Sequence, residues 1–242
     1  MSVTVRDATV MQEGAGARVR RHLPLPGFMN FDPFVMFDHF ELGPGTGFPE
    51  HPHRGFEAIT YLFSGEIEHR DDLGNVSRVG RGGAQRFTAG AGIVHSEMPS
   101  AEAETSGIQL WINLSRRLKD HAPGYQEARP ETIPEVSLAG GRERRIAGVD
   151  GAIRLLTEAW YRHLVLDAGA DHSLALPAGW RAIVYLRAGQ AAVNGAALGD
   201  GQAAFLEDES DVRIRAALGS ELMVAAGRPH GEPIRQRGPY VD

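Results

Sequence analysis

Apolar and polar residues alternate with a period of two in several short runs, and Gly, Pro, Asn and Asp separate the runs. That spacing predicts strands joined by tight turns. In the clearest run Ile108, Leu110, Ile112 and Leu114 share one face, the pattern of a half-buried strand. Further runs cover residues 56–63 and 65–69. Helical periodicity is scarce, and residues 115–120 suffice for one short turn.

The chain also repeats itself. Ala58-Ile59-Thr60-Tyr61-Leu62-Phe63-Ser64-Gly65 matches Ala182-Ile183-Val184-Tyr185-Leu186-Arg187-Ala188-Gly189 at five of eight positions, and a Gly- and Asx-containing turn segment follows each copy. A chain of 242 residues has room for two small β domains, and duplication is the reading that explains the match. The expected division is 1–130 and 131–242, because residues 115–135 are rich in Pro and charge.

Composition narrows the chemistry. The 30 Gly and 14 Pro favour a turn-rich all-β fold. A net charge of −6 without a basic stripe argues against direct nucleic-acid binding, which needs clustered cations. The absence of Cys excludes disulfides, thiolate catalysis, iron–sulfur clusters and Cys-type zinc sites, so any metal must be held by His and carboxylate. The N-terminal residues lack the apolar run of a signal peptide, and no stretch reaches the ~18 apolar residues of a membrane span. A cytoplasmic protein is therefore expected.

Two short motifs carry candidate metal chemistry. His51 and His53 flank Pro52, which disfavours helical geometry at His51, and residues two apart in an extended strand project from one face. His95 and Glu97 have the same spacing in Gly92-Ile93-Val94-His95-Ser96-Glu97. One His-x-His pair is weak evidence, but two such pairs inside predicted strands point to a divalent transition metal. Four protein ligands in octahedral coordination leave two positions for water, O2 or a bidentate substrate. At the offset of the repeat, His51, His53, His95 and Glu97 fall on Ala175, Pro177, Gly219 and Glu221, so one metal centre is expected, in the first domain.

At these residues the sequence resembles the pirin family of the cupin superfamily. The resemblance runs from Asp32-Pro33-Phe34 and Asp38-His39-Phe40 through His51-Pro52-His53-Arg54-Gly55-Phe56-Glu57. It continues in Thr88-Ala89-Gly90, Gly92 to Pro99, Gly231-Glu232-Pro233-Ile234 and Gly238-Pro239. It implies an all-β fold of two stacked cupin, jelly-roll-like β-barrels, with iron as Fe(II) in the N-terminal barrel. It further implies His51, His53, His95 and Glu97 as metal ligands, and it leaves Glu57, a ligand in the wider cupin pattern, beside the ligands or on the strand surface. Where relatives carry Pro-Gly-Asp and Gln-Trp, this chain has Arg81-Gly82-Gly83 and Gln85-Arg86, which predicts a changed turn and pocket wall.

The activity implied is a dioxygenase cleaving a flavonol such as quercetin with O2, Glu97 acting as general base toward the flavonol hydroxyl. The alternative is an iron-dependent, redox-responsive regulator that works through protein partners without turnover. A metal-stabilised scaffold is the third reading. His22, His121, His163, His172 and His230 lack a ligand-spaced partner and read as exposed or hydrogen-bonded; His69, beside Arg70-Asp71-Asp72, reads as a strand-end or turn residue, and His39, next to Asp38, reads as structural. Trp111, Trp160 and Trp180 read as core or interface aromatics.

Overall fold

A computed structural model describes residues 2–100 and 104–242. In chain order the strands begin β1 (Ser2–Arg6), β2 (Thr9–Glu13), β3 (Ala17–Leu23), β4 (Phe34–Leu42), β5 (Phe48–His53), β6 (Phe56–Ser64), β7 (Glu66–Asp71) and β8 (Val76–Gly80). They continue with β9 (Ala84–Thr88), β10 (Ile93–Pro99), β11 (Thr105–Asn113), β12 (Gly124–Ala128), β13 (Glu135–Leu138), β14 (Gly141–Ala147), β15 (Ala159–Leu166) and β16 (Asp171–Ala175). The last are β17 (Arg181–Ala188), β18 (Ala191–Val193), β19 (Ala196–Leu198), β20 (Ala203–Glu207), β21 (Asp211–Ala216), β22 (Ser220–Gly227), β23 (Gln236–Arg237) and β24 (Tyr240–Val241). Two short 3-10 turns are the only helices among the described residues, and no helix is long and apolar enough to cross a membrane.

The chain folds as two compact units. The first holds residues 9–132 and 230–242, and the second holds β1 with residues 133–229. This differs at both ends from a cut between residues 130 and 131: the first strand joins the later unit, and the C-terminal tail returns to the earlier one.

Each unit contains a seven-stranded and a four-stranded antiparallel sheet. In the first unit the orders are β12-β9-β6-β11-β4-β3-β2 and β5-β10-β7-β8. In the second they are β1-β20-β17-β22-β15-β14-β13 and β16-β21-β18-β19. The two units match strand for strand, except that β1 fills the edge place that β12 holds in the first. The internal repeat is therefore a repeat of topology, with β6 and β17 as its matching central strands. Both copies end in a glycine at positive φ, Gly65 at +71° and Gly189 at +105°, where a Cβ would come within 2.2 Å of the Thr105 hydroxyl or 2.3 Å of the Gly219 carbonyl.

Pairing corrects the correspondence expected from a constant offset. His95 lies opposite His51, as Val212 lies opposite Leu174. Glu97 lies opposite His69, as Ile214 lies opposite Val193. The counterparts of His51, His53, His95 and Glu97 are thus Leu174, Leu176, Val212 and Ile214, all in the aliphatic core of the second unit. The offset drifts because the second copy is shorter between β18 and β21. The four counterpart positions in the second unit therefore hold aliphatic side chains, which cannot ligate a metal.

The run at 108–112 is strand β11. Ile108, Leu110 and Ile112 are at most 1% exposed, while the opposite face carries the buried Trp111 and the partly exposed Gln109 and lines a cavity.

Candidate metal centre

The antiparallel pair β5–β10 places His95 directly across from His51, and His53 follows two residues along the same face. The ring centroids of His51 and His53 are 4.5 Å apart, those of His51 and His95 4.6 Å, and those of His53 and His95 5.0 Å. One ligand atom from each of the three lies within 4.8 Å of the others. Donors about 2 Å from a shared ion need to lie within about 4 Å of one another, so small side-chain adjustments suffice.

Hydrogen bonds orient these rings. His51 Nδ1 lies 2.7 Å from the Pro49 carbonyl oxygen and His53 Nδ1 lies 3.3 Å from that of Pro239, so both Nδ1 atoms donate and in a neutral ring Nε2 keeps the lone pair. The Nε2 atoms of His53 and His95 are buried and have no hydrogen-bond partner among the described residues. Such a group costs about 1–3 kcal/mol unless something engages it. Burial pushes the His53 imidazole down to about 3, and the facing His51 acts in the same direction. Burial also pushes His95 down, with His53, His51 and His69 adding to the effect. Both rings are neutral at neutral pH, the state in which imidazole binds a metal.

Glu97 sits further along β10, beyond a register shift between His95 and Glu97 that sets it across from Phe48. It groups within 4.8 Å with His69 and His95, whereas the three-histidine group closes without it. Its carboxylate accepts from three side chains of the opposing sheet. Thr60 donates to Oε1 at 3.0 Å, Gln85 donates to the same oxygen, and Gln109 donates to Oε2 at 2.5 Å. An ionised carboxylate offers about four acceptor sites, so Oε2 keeps one.

These donors belong to a row. Arg21, Asp38, Gln109, Thr60 and Gln85 are direct cross-strand partners on β3, β4, β11, β6 and β9. The matching places on β22, β17 and β20 are Val224, Val184 and Ala204. Among interior positions 58, 60 and 62 of the sequence repeat, only Thr60 differs from its counterpart, and Thr60 is the one that touches Glu97.

A cavity of about 520 Å³ opens beside His51 and His53, with Gln109, Trp111, Arg21 and Asp38 in its wall. Trp111 stacks on Phe56 with centroids 4.0 Å apart and meets the His53 ring edge-on at 4.9 Å. Arg21 grips Asp38 through Nε at 3.0 Å and Nη2 at 2.6 Å, and reaches Glu13 through Nη1 at 2.8 Å. Burial pushes the Asp38 carboxyl up to about 6 against the pull of Arg21.

Several residues depart from expectation. His69, read as a strand-end or turn residue, is a fully buried member of β7. Trp111 is the core aromatic expected, and it lines the cavity as well. Glu57 is fully buried rather than on a strand surface, and the nearest nitrogen of Arg86 stands 3.6 Å from it. Arg86 neighbours Gln85 and Phe87 in sequence but is not among the residues that line the cavity. The available clue to Thr60 and Gln109 was a polar residue placed inside an otherwise apolar run.

Two antiparallel units of one strand order, with a cluster of three histidines in the first, define a two-domain cupin protein. The pirin family matches residues 16–112, and the pirin C-terminal cupin domain matches residues 161–242. Pirin of Mus musculus is 39% identical over 246 residues, spanning 95% of this chain and 83% of that protein. A Pseudomonas aeruginosa relative, whose name provisionally assigns it quercetin 2,3-dioxygenase activity, is 39% identical over 247 residues, covering 95% and 87%. The solved quercetin 2,3-dioxygenase of Acinetobacter baumannii superposes with a TM-score of 0.88 at 28% identity, covering 98% of this chain and 90% of that one. The chain belongs to the pirin family.

Proposed function

We propose that this protein is a metal-dependent dioxygenase that cleaves flavonols such as quercetin at a mononuclear iron centre. The observation that carries the reading is the pair of orphaned, buried Nε2 atoms of His53 and His95 beside His51 at the edge of a cavity. Two neutral imidazole nitrogens without partners, beside a third histidine and with Glu97 on the same strand as His95, match the donor set of a borderline divalent ion. The likeness to the Acinetobacter baumannii quercetin 2,3-dioxygenase supports the substrate class.

In this reading His51, His53, His95 and Glu97 hold the ion. Bound iron would supply Lewis acidity toward the vicinal keto and hydroxyl oxygens of a flavonol and a redox partner for O2. The chain supplies the rest. A cavity of about 520 Å³ falls within the range of small-molecule sites, and Met36, Phe40, Phe48 and Trp111 give it apolar walls that exclude water from a flat aromatic ligand. Glu97 has one acceptor site left, on Oε2, so it serves in turn as ligand to the ion and as base for the substrate hydroxyl proton, not as both at once. Thr60, Gln85 and Gln109 hold the carboxylate still while it does so.

The test is to load the purified protein anaerobically with Fe(II), add quercetin in air and follow loss of the flavonol absorbance together with release of carbon monoxide. Turnover that disappears in His51→Ala is the expected result. A wild-type rate no higher than that of His51→Ala rejects the activity for this substrate.

A further inference from the structure

The ring of His69 and the carboxylate of Asp71 are both fully buried, with side chains 0% exposed, next to the three-histidine group. With a neutral His69 ring, their hydrogen bonds have one consistent direction. His69 Nε2 lies 3.1 Å from Asp71 Oδ2, and a carboxylate can only accept, so Nε2 carries the proton. A neutral His69 then presents a lone pair at Nδ1. His95 Nδ1 lies 3.5 Å from that atom, so a bond there puts the His95 proton on Nδ1 and leaves the lone pair on Nε2, the atom without a partner. Asp71 is itself anchored by the backbone N–H groups of Leu73 at 3.1 Å and Asn75 at 2.9 Å and by the Asn75 amide at 2.8 Å, all in the turn between β7 and β8. Tyr125 stacks on His69 with centroids 4.3 Å apart and planes at 21°, which fixes the plane of the ring.

We propose that Asp71 and His69 are positioning residues that set the tautomer of His95, so that the turn between β7 and β8 governs how tightly the centre holds a divalent ion. The inference rests on the reading of His95 as a ligand. Metal-bound histidines commonly have their other nitrogen fixed in this way, and loss of such a partner costs 10–100-fold in affinity. Here the fixing group is a second histidine, itself fixed by a carboxylate.

Asp71→Asn supplies the sharp test. To keep accepting from the backbone N–H groups of Leu73 and Asn75, both on Oδ1, the new amide must turn its NH2 toward His69, giving up the bond that the Asn75 side chain makes to Oδ2. His69 then accepts at Nε2 and carries its proton on Nδ1, which faces the Nδ1–H of His95, so His95 must move its proton to Nε2. The expected results are a shift of the His95 proton from Nδ1 to Nε2 in 15N spectra of the metal-free protein, and Co(II) binding, read by competition with a chelator, weakened 10–100-fold. His69→Phe keeps the stacking on Tyr125 while removing both nitrogens, and it is expected to weaken Co(II) similarly; it carries the test should Asp71→Asn fail to fold. A wild-type His95 protonated on Nε2, or variants that bind Co(II) as tightly as wild type, overturn the positioning role alone. A wild-type protein that does not bind Co(II) overturns the ligand reading and this inference with it.

Discussion

The indole N–H of Trp111 donates to the side-chain oxygen of Gln109 at 2.8 Å, and this contact decides which way the Gln109 amide faces. An indole nitrogen can only donate, so Gln109 must present Oε1 to it, and the NH2 then points to Glu97. One aromatic side chain in the cavity wall thereby orients a carboxylate it does not touch.

Removing that chain of contacts exposes its strength. Gln109→Leu leaves buried Glu97 one donor short and is expected to cost about 1–3 kcal/mol of stability in the metal-free protein. Trp111→Phe keeps the stack on Phe56 but lets the Gln109 amide turn, at a cost of about 1 kcal/mol. Urea unfolding of the two variants beside wild type checks both figures and their order.

The second unit predicts what the first has given up for its site. Leu176 stands where His53 stands in the first unit, and His53 is packed among Phe56, Phe87 and Trp111 with one nitrogen unpartnered. His53→Leu is expected to raise the stability of the metal-free protein by about 1 kcal/mol while sharply weakening metal binding. Leu174→Ala in the second unit is expected to cost about 2–5 kcal/mol and to leave metal affinity unchanged. Denaturant titrations with and without metal separate the two behaviours.

Two buried carboxylates should impose opposite pH dependences on folding. Burial raises Asp38 to about 6, so between about 4 and 6 the folded protein holds a proton that the unfolded chain releases. Its contribution therefore falls as pH rises through that window, by up to about 3 kcal/mol, and Asp38→Asn removes this slope. Burial opposes ionisation of Glu143 too, but His172, Arg162 and Arg145 together hold it down to about 2. That contribution is present above the ordinary carboxylate range and is lost as pH falls toward 2, so Glu143→Gln flattens the acid limb. Stability measured from pH 2 to 7 distinguishes the two variants.

Lys119 helps tie the C-terminal tail to the first unit, beside the backbone bonds that Arg54 makes with Pro239 and Val241. Lys119 Nζ donates to the Gly55 carbonyl at 2.8 Å, the Asn113 side chain at 2.6 Å and the Val241 carbonyl at 2.8 Å. Gly55 has φ +89°, and a Cβ there would lie 1.8 Å from the Val241 oxygen. Lys119→Met and Gly55→Ala are both expected to loosen the tail and, through Pro239, the His53 ring. Faster amide hydrogen exchange across residues 236–242 and weaker metal binding are the outcomes to look for.

Much of the local structure was legible in residue order. His51-Pro52-His53 and His95-Ser96-Glu97 lie on strands, as their spacing requires, because alternation of side chains is a property of any extended backbone. The alternation in β11 marked the strand but drew attention to Ile108, Leu110 and Ile112, while the functional face carries Gln109 and Trp111. Periodicity reports that two faces exist and cannot say which one meets a cavity. His69 was hidden for a related reason: its partners Asp71, His95 and Tyr125 come from a hairpin end, the facing strand and a distant edge strand.

What the sequence by itself determined is short-range: strands and turns, a duplicated plan, and His and carboxylate as the only donors for a transition metal in a chain without Cys. Tertiary structure decided which residues face one another across strands. It set Leu174, Leu176, Val212 and Ile214 in the places of the four candidate ligands, exchanged the chain ends between units, and lined Thr60, Gln85 and Gln109 up on Glu97. Those outcomes depend on strand register and loop length, which shift cross-strand neighbours by whole residues without changing the local pattern from which strands are read.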